Sequence, residues 1–259
     1  MTHELLDLAT LVARRAGELL LEHYHRAATG VDTKSTPTDL VSDADRAAEH
    51  LIKELIAKER PDDGLVGEES GRASQGDGGE FTWIIDPLDG TVNFLFRIPT
   101  WAVSIAVRDR EGLVAAVVHD PNRNETFTAQ RSGGAALNGA PIRVGDKTDL
   151  SQALVGTGFA YDAETRMVQA EVVRRVLPRV RDIRRAGSAA LDLSYLACGR
   201  LDGFYEAHMM EWDKAAGILL VEEAGGVLSP LEDPSGISDG LIGANRDLHP
   251  ALERLVRGS

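Results

Sequence analysis

The chain has 259 residues, 43% of them hydrophobic and 27% charged, which suits one large domain or two modest ones with a substantial core. Its 41 acidic and 28 basic residues leave a formal net charge of −13, which argues against a surface built to grip a nucleic-acid backbone. No apolar run approaches the ~20 residues of a membrane-spanning helix. The N-terminal "MTHELLDLATLVARRAG" lacks the continuous apolar stretch of a secretion signal, and the single Cys198 reads as core filler. The expectation is a cytoplasmic protein with neither a membrane nor a nucleic-acid partner.

Residues 4–27 read as an amphipathic helix, with Leu5, Leu8, Leu11, Val12 and Leu19 on its apolar stripe. A Pro-containing extended loop then leads to a second helix. Ser42 or Asp43 is its candidate N-cap, Ala47, Leu51, Leu55 and Ile56 its expected buried face, and Pro61 its stop. "GLVGEES" is a short strand running into paired glutamates, and the glycine-rich "GRASQGDGGE" reads as an exposed loop. From 81 to 144 the pattern is β, in "FTWIID", "WAVSIAVRD", "LVAAVVHD", "ETFTAQ" and "PIRV".

Beyond about residue 150 strands and helices alternate. "ALVGTGF", "LDGFYE" and "DGLIGAN" are strand-like, and 163–177, "SAALDLSYLACG", "WDKAAGILLVEEAGG" and 247–257 are helical. Helix-then-antiparallel-sheet followed by β/α alternation suggests an α+β chain of two fused layered halves, 1–150 and 151–259.

Carboxylates gather at the junctions of these elements. Glu68 and Glu69 follow a strand, Asp86 and Asp89 follow another, Asp213 opens a helix after Trp212, and Asp45 lies at the start of the second helix. If they share one cleft they cannot all ionise without cations. An all-oxygen donor set suits Mg²⁺ best, and no HExxH or cysteine cluster offers a softer site. The stretch "WIIDPLDGTVNF" then reads as a metal-binding turn. Asp86 would bridge two ions, with the Leu88 carbonyl completing one shell and Asp89 the other. Pro87 would stiffen the turn, and a helix beginning at Gly90-Thr91 would offer N–H groups to phosphate. Taken singly these residues also fit ordinary turns, caps and solvated pairs; the combination is what points to chemistry.

"GEES", "WIIDPLDGTVNF" and "EWDKAAGILLVEEAGG" resemble the three signatures of the inositol monophosphatase family, and the likeness spans essentially the whole chain. It implies a layered α/β/α/β/α sugar-phosphatase-like fold, a lithium-sensitive phosphatase using two or three Mg²⁺ ions (Mn²⁺ being an alternative), and a homodimer. "DGTVNF" is more similar to the inositol-phosphatase branch than to the nucleotide-bisphosphate branch.

The resemblance assigns Glu68, Asp86 and the Leu88 carbonyl to one ion, Asp86, Asp89 and Asp213 to a second, and Glu68 through waters to a third. Thr91, supported by Asp45 with Glu68 nearby, would activate the attacking water, and Gly90 and Thr91 N–H groups would hold phosphate. Asp89, Ala189, Glu206 and Asp213 would meet the substrate, Lys34 would flank the metals, and Glu69 would support them indirectly. Myo-inositol 1-phosphate is the implied substrate; histidinol phosphate, fructose 1,6-bisphosphate and a regulatory protein-binding role are the alternatives. Phe96, where many relatives carry histidine, and the extra carboxylate Glu211 depart from the family pattern. "GISDG" at 236–240 matches a serine-hydrolase elbow, but a strand rather than a helix is expected after Ser238.

Overall fold

The computed structural model describes residues 2–25, 31–33, 40–68, 71–73, 79–232 and 239–258; Lys34, Glu69 and Ser238 lie outside them. The chain opens with α1 (Thr2–His25), the antiparallel pair β1 (Val31–Thr33) and β2 (Leu40–Ser42), and α2 (Asp43–Glu59). Next come β3 (Gly64–Gly67), β4 (Gly71–Ala73), β5 (Thr82–Asp89) and the short helix α3 (Thr91–Leu95). The meander β6 (Ala102–Asp109), β7 (Gly112–Asp120), β8 (Glu125–Gln130), β9 (Gly134–Leu137) and β10 (Ala140–Pro141) completes an eight-stranded sheet, ordered β10-β9-β8-β7-β6-β5-β3-β4. Its one parallel pair, β3 with β5, is a departure from the expected antiparallel sheet.

The rest of the chain comprises β11 (Leu154–Thr157), α4 (Ala163–Val176), β12 (Asp182–Arg184), α5 (Ala189–Ala197), β13 (Gly203–Glu206), α6 (Glu211–Glu223), β14 (Val227–Glu232), β15 (Asp239–Ala244) and α7 (His249–Arg257). The strands form a five-stranded sheet in the order β12-β11-β13-β15-β14. Three apolar clusters define five layers. α1 and α2 pack on one face of the large sheet around Trp83, Ile85, Trp101 and Ile105. α5 and α6 lie between the sheets among Ile84, Phe127, Phe204 and Leu241. α7 covers the far face of the small sheet around Val155, Tyr205 and Leu252. Alternation along β5 explains the first two: Trp83 and Ile85 face the outer helices, Ile84 the inner pair. Among the described residues no helix is long and apolar enough to cross a membrane.

Several local expectations are corrected. "GRA" at 71–73 is a strand pairing with β3, not loop, because an antiparallel return along β3 satisfies its backbone. "PIRV" contributes only the end of a two-residue strand, and β9, β12 and β14 were not foreseen. The buried stripe of α2 is Ala44, Asp45, Ala48, Glu49, Ile52 and Ile56, so Ala47, Leu51 and Leu55 sit at its margin. Two carboxylates occupy positions that an apolar-periodicity argument assigns to solvent. On α1, Leu11 is exposed while the small residues Ala9, Ala13 and Ala16 are buried.

Candidate functional site

The geometry of the site begins with a defect in a strand. In a regular strand Asp86 and Asp89, three apart, would point to opposite faces. The β5–β6 register runs evenly to Asp86↔Ser104 and then shifts, resuming at Asp89↔Ala102. Pro87 lies in that interval and has no N–H for the ladder. The irregularity brings both carboxylates to one cleft, where Asp86 Oδ1 accepts the Leu88 N–H at 3.0 Å. β5 ends at Gly90, whose φ of +97° and contact with Trp101 leave no room for a side chain: a Cβ would stand 3.0 Å from the Thr100 carbonyl.

Other element ends deliver the remaining groups. β3 runs parallel to β5 with Gly67 opposite Ile85, so Glu68 emerges beside Asp86. Asp45 lies buried in the first turn of α2. Asp213 stands in the first turn of α6 and accepts the Met210 N–H at 2.7 Å. Asp89 is held across the molecule by the start of α5. It accepts the Ser188 hydroxyl and the Ala189 and Ala190 N–H groups, the last two at 3.3 and 2.9 Å.

These residues line a cleft of about 540 Å³, within the size range of small-molecule sites. Glu68, Asp86, Leu88, Asp89, Gly90, Thr91, Ala189, Glu206 and Asp213 all reach it. Asp45 lies behind, with its Oδ2 3.5 Å from the Thr91 hydroxyl, which is at the limit of a hydrogen bond. The shorter contact of that hydroxyl, 3.1 Å, is to the Leu88 carbonyl. Of the sequence-derived set only Lys34 and Glu69 fall outside the described residues. α3 is only five residues long, so the helix dipole expected at Gly90-Thr91 is a small term.

Electrostatics make the cleft costly as it stands. Seven carboxylates line it, against Arg185 as the sole lining arginine or lysine among the described residues. Burial and then the neighbouring Glu68, Asp89, Asp213 and Asp45 push the Asp86 carboxyl well above its ordinary range. Burial raises Asp89 to about 6 even though three hydrogen bonds pull the other way. Burial and Asp89 raise Asp213 to about 7, burial and Asp89 raise Asp192 to about 8, and burial lifts Glu206 well upward. A hard divalent cation answers this imbalance, because every donor offered is oxygen. Among the described residues no three such side chains are already arranged as a metal shell. Their lone pairs are instead taken up in part by the backbone donors named above.

Sequence reasoning missed several groups here. Asn93 donates to the Thr100 and Ala186 carbonyls at 2.7 and 2.8 Å, tying α3 to the segment that leads into α5. Ser188 was legible as an N-cap residue before an apolar run, and it accepts the Leu191 N–H while donating to Asp89. The "GTG" at 156–158 is not a nucleotide loop; the Glu206 carboxylate occupies the space a Gly158 side chain would fill. Glu211 pairs with Arg108 of β6, which places it against the large sheet and accounts for it without a part in the chemistry. Phe96 lies 69% exposed just after α3.

A mixed two-sheet fold with this carboxylate cleft is shared with known proteins. The chain matches the Inositol monophosphatase family over residues 1–258 and belongs to that family. Members of this family are generally metal-dependent. The chain is 43% identical over 228 residues to "Nus factor SuhB" of Escherichia coli (strain K12), covering 88% of this chain and 85% of that protein. It is 44% identical over 223 residues to "Inositol-1-monophosphatase" of Rhizobium meliloti (strain 1021), covering 86% and 84%. Among solved structures it resembles the extragenic suppressor protein suhB of Bartonella henselae, with a TM-score of 0.91, 37% identity and 98% of each chain covered. It also resembles the inositol monophosphatase of Anabaena (Nostoc) sp. PCC 7120, with a TM-score of 0.86, 33% identity and 99% and 96% covered.

Proposed function

We propose that the chain hydrolyses a small phosphate monoester in the presence of Mg²⁺, with myo-inositol 1-phosphate, cleaved to myo-inositol and phosphate, as its foremost substrate. The observation that carries the reading is the arrival of Glu68, Asp86, Asp89 and Asp213 from four separate element ends in one cleft. Glu68, Asp86, Asp89, Asp213 and the Leu88 carbonyl are the donors for the cations. When bound, the cations supply positive charge for the phosphoryl oxygens and lower the pKa of an attacking water.

The chain's own part is orientation and proton handling. Three α5 donors fix Asp89 from behind. The single Thr91 proton is shared between the Leu88 carbonyl and Asp45. Engagement of that carbonyl elsewhere would turn the hydroxyl fully toward Asp45, leaving the Thr91 oxygen as acceptor for a proton of the water. Gly90 and Thr91 sit where their backbone can meet phosphate, while Ala189 and Glu206 face the leaving alcohol.

The test is phosphate release from myo-inositol 1-phosphate, histidinol phosphate and fructose 1,6-bisphosphate by one purified batch, with and without Mg²⁺. Release fastest from the inositol ester and only with the metal is expected; a better kcat/KM on another ester would reassign the substrate, and none on any would end the reading. Inhibition by Li⁺ at low Mg²⁺ is a further expectation from the family.

A second reading, a protein-binding role on the same fold, is favoured by relatives named Nus factor and by one surface of this chain. "RRVLPRVRDIRR" at 174–185 places six arginines in an otherwise acidic protein. Within it Arg179, Arg181, Arg184 and Arg185 are exposed along and beside the edge strand β12. If that role is separate from hydrolysis, Asp89→Asn abolishes phosphate release and spares the cellular function; loss of both together would argue against it.

A further inference from the structure

The roles proposed above leave one carboxyl in the cleft without a task. Asp192 lies on α5 one turn beyond Ser188, so it projects from the same face as the groups holding Asp89. It is 2% exposed, and its Oδ1 has no hydrogen-bond partner. Yet it lines the cleft with Glu206, Thr157 and Arg185.

Buried aspartates elsewhere in the fold are satisfied. Asp202 accepts two bonds from Lys147 and one from the Leu154 N–H. Asp63 accepts from Arg60 and from the Trp83 indole. Asp120 accepts from Arg123 and two turn N–H groups. A buried acceptor without a donor is costly, and its retention at a cleft wall points to a donor arriving from outside the protein.

The strand beside it is shaped to admit that wall. Gly156 and Gly158 share one face of β11 and its continuation. A Cβ at Gly156 would stand 3.5 Å from the Asp192 Cγ and 2.9 Å from Leu201, and one at Gly158 would overlap the Glu206 carboxylate. The two glycines therefore let two carboxyls, one from α5 and one from β13, stand side by side over the small sheet.

We propose that Asp192 is a substrate-contacting specificity residue that accepts an O–H of the leaving alcohol next to the one Glu206 receives. The cleft then selects alcohols carrying two donors on one edge over simple alkyl alcohols. The inference rests on the phosphomonoesterase reading, and its test separates the two.

Wild type, Asp192→Leu and Asp192→Asn are compared on myo-inositol 1-phosphate and ethyl phosphate with Mg²⁺, and free myo-inositol is titrated as a competitive inhibitor. Asp192→Leu should lower kcat/KM for the inositol ester about 10- to 100-fold, and weaken inhibition by free inositol, while leaving ethyl phosphate within about twofold. The melting temperature of the metal-free variant should hold or rise, since an unpaired buried carboxyl is replaced by a similar apolar volume. A purely structural Asp192 predicts a lower melting temperature and an unmoved ratio between the two esters, and that result would overturn the proposal. Should Asp192→Leu not fold, Asp192→Asn must still shift the ratio by about fivefold, because it exchanges an acceptor for a donor. Release from either ester by wild type with an unchanged ratio refutes the role of Asp192 alone; no release from either overturns the hydrolytic reading and this proposal with it.

Discussion

The two ends of the cleft are built differently. At the inner end, carboxylates are fixed by backbone: Asp89 by the start of α5, Asp213 by Met210, Asp86 by Leu88. At the outer end, Asp192 and Glu206 are admitted by glycines, and Oδ1 of Asp192 is left without a donor. Groups that must neutralise developing charge need fixed positions, since a preoriented site has no reorganisation cost at the moment of reaction. Groups that select an alcohol need open valences. The inner end therefore defines a reaction class and the outer end a substrate.

The strongest way to break this contrast is Asp86→Asn. Removing charge from the carboxylate most surrounded by others should lower turnover at ordinary Mg²⁺ by about 10³-fold or more, read as rate against Mg²⁺ concentration. Near-wild-type turnover would deprive the inner end of its special status. Ser188→Ala is subtler. It deletes one charge-assisted bond to Asp89, of about 1.5–3 kcal/mol, so kcat should fall about 10- to 100-fold with KM little changed. A change confined to KM would move Asp89 to the outer end.

Gly158→Ala tests the outer end. The new methyl occupies the Glu206 position, so kcat/KM for a polyol phosphate should drop about tenfold while ethyl phosphate is spared. Equal losses on both would show the glycine serving the fold alone. The smallest effect is on stability. Asp213 at about 7 and Asp89 at about 6 stand above the roughly 3.9 of an unfolded aspartate. The metal-free folded chain thus holds more protons than the unfolded chain across that interval, and its stability falls as pH rises from about 4 to 7. Thermal melts at pH 5.5 and 8 should differ by a few degrees in that sense, with Mg²⁺ restoring the loss at pH 8; a melting temperature rising with pH would contradict the shifts.

Much of this was legible in advance. α1, α2 and the β5–β8 run follow apolar periodicity, because long half-buried elements leave a repeating pattern in the chain. The edge strands β4, β12 and β14 were not foreseen: each lies at a sheet margin, with little burial to imprint a pattern. The inner carboxylates were legible through their crowding around turns in "GEES" and "DPLDG". Asn93, Ser188 and Asp192 were not, since each is commonplace in a turn or a helix until a distant partner is known.

The sequence by itself determined the family, the layered architecture and the set of carboxylates at element ends, since these depend on local pattern and residue type. Only the tertiary structure decided which of them meet. The register shift at Pro87 turns Asp86 and Asp89 to one side, and α2 rotates Asp45 inward against the expected stripe. α5 arrives about a hundred residues later in the chain to hold Asp89. Convergence of that kind is set by how sheets and helices pack across long separations, and no short stretch of chain encodes it.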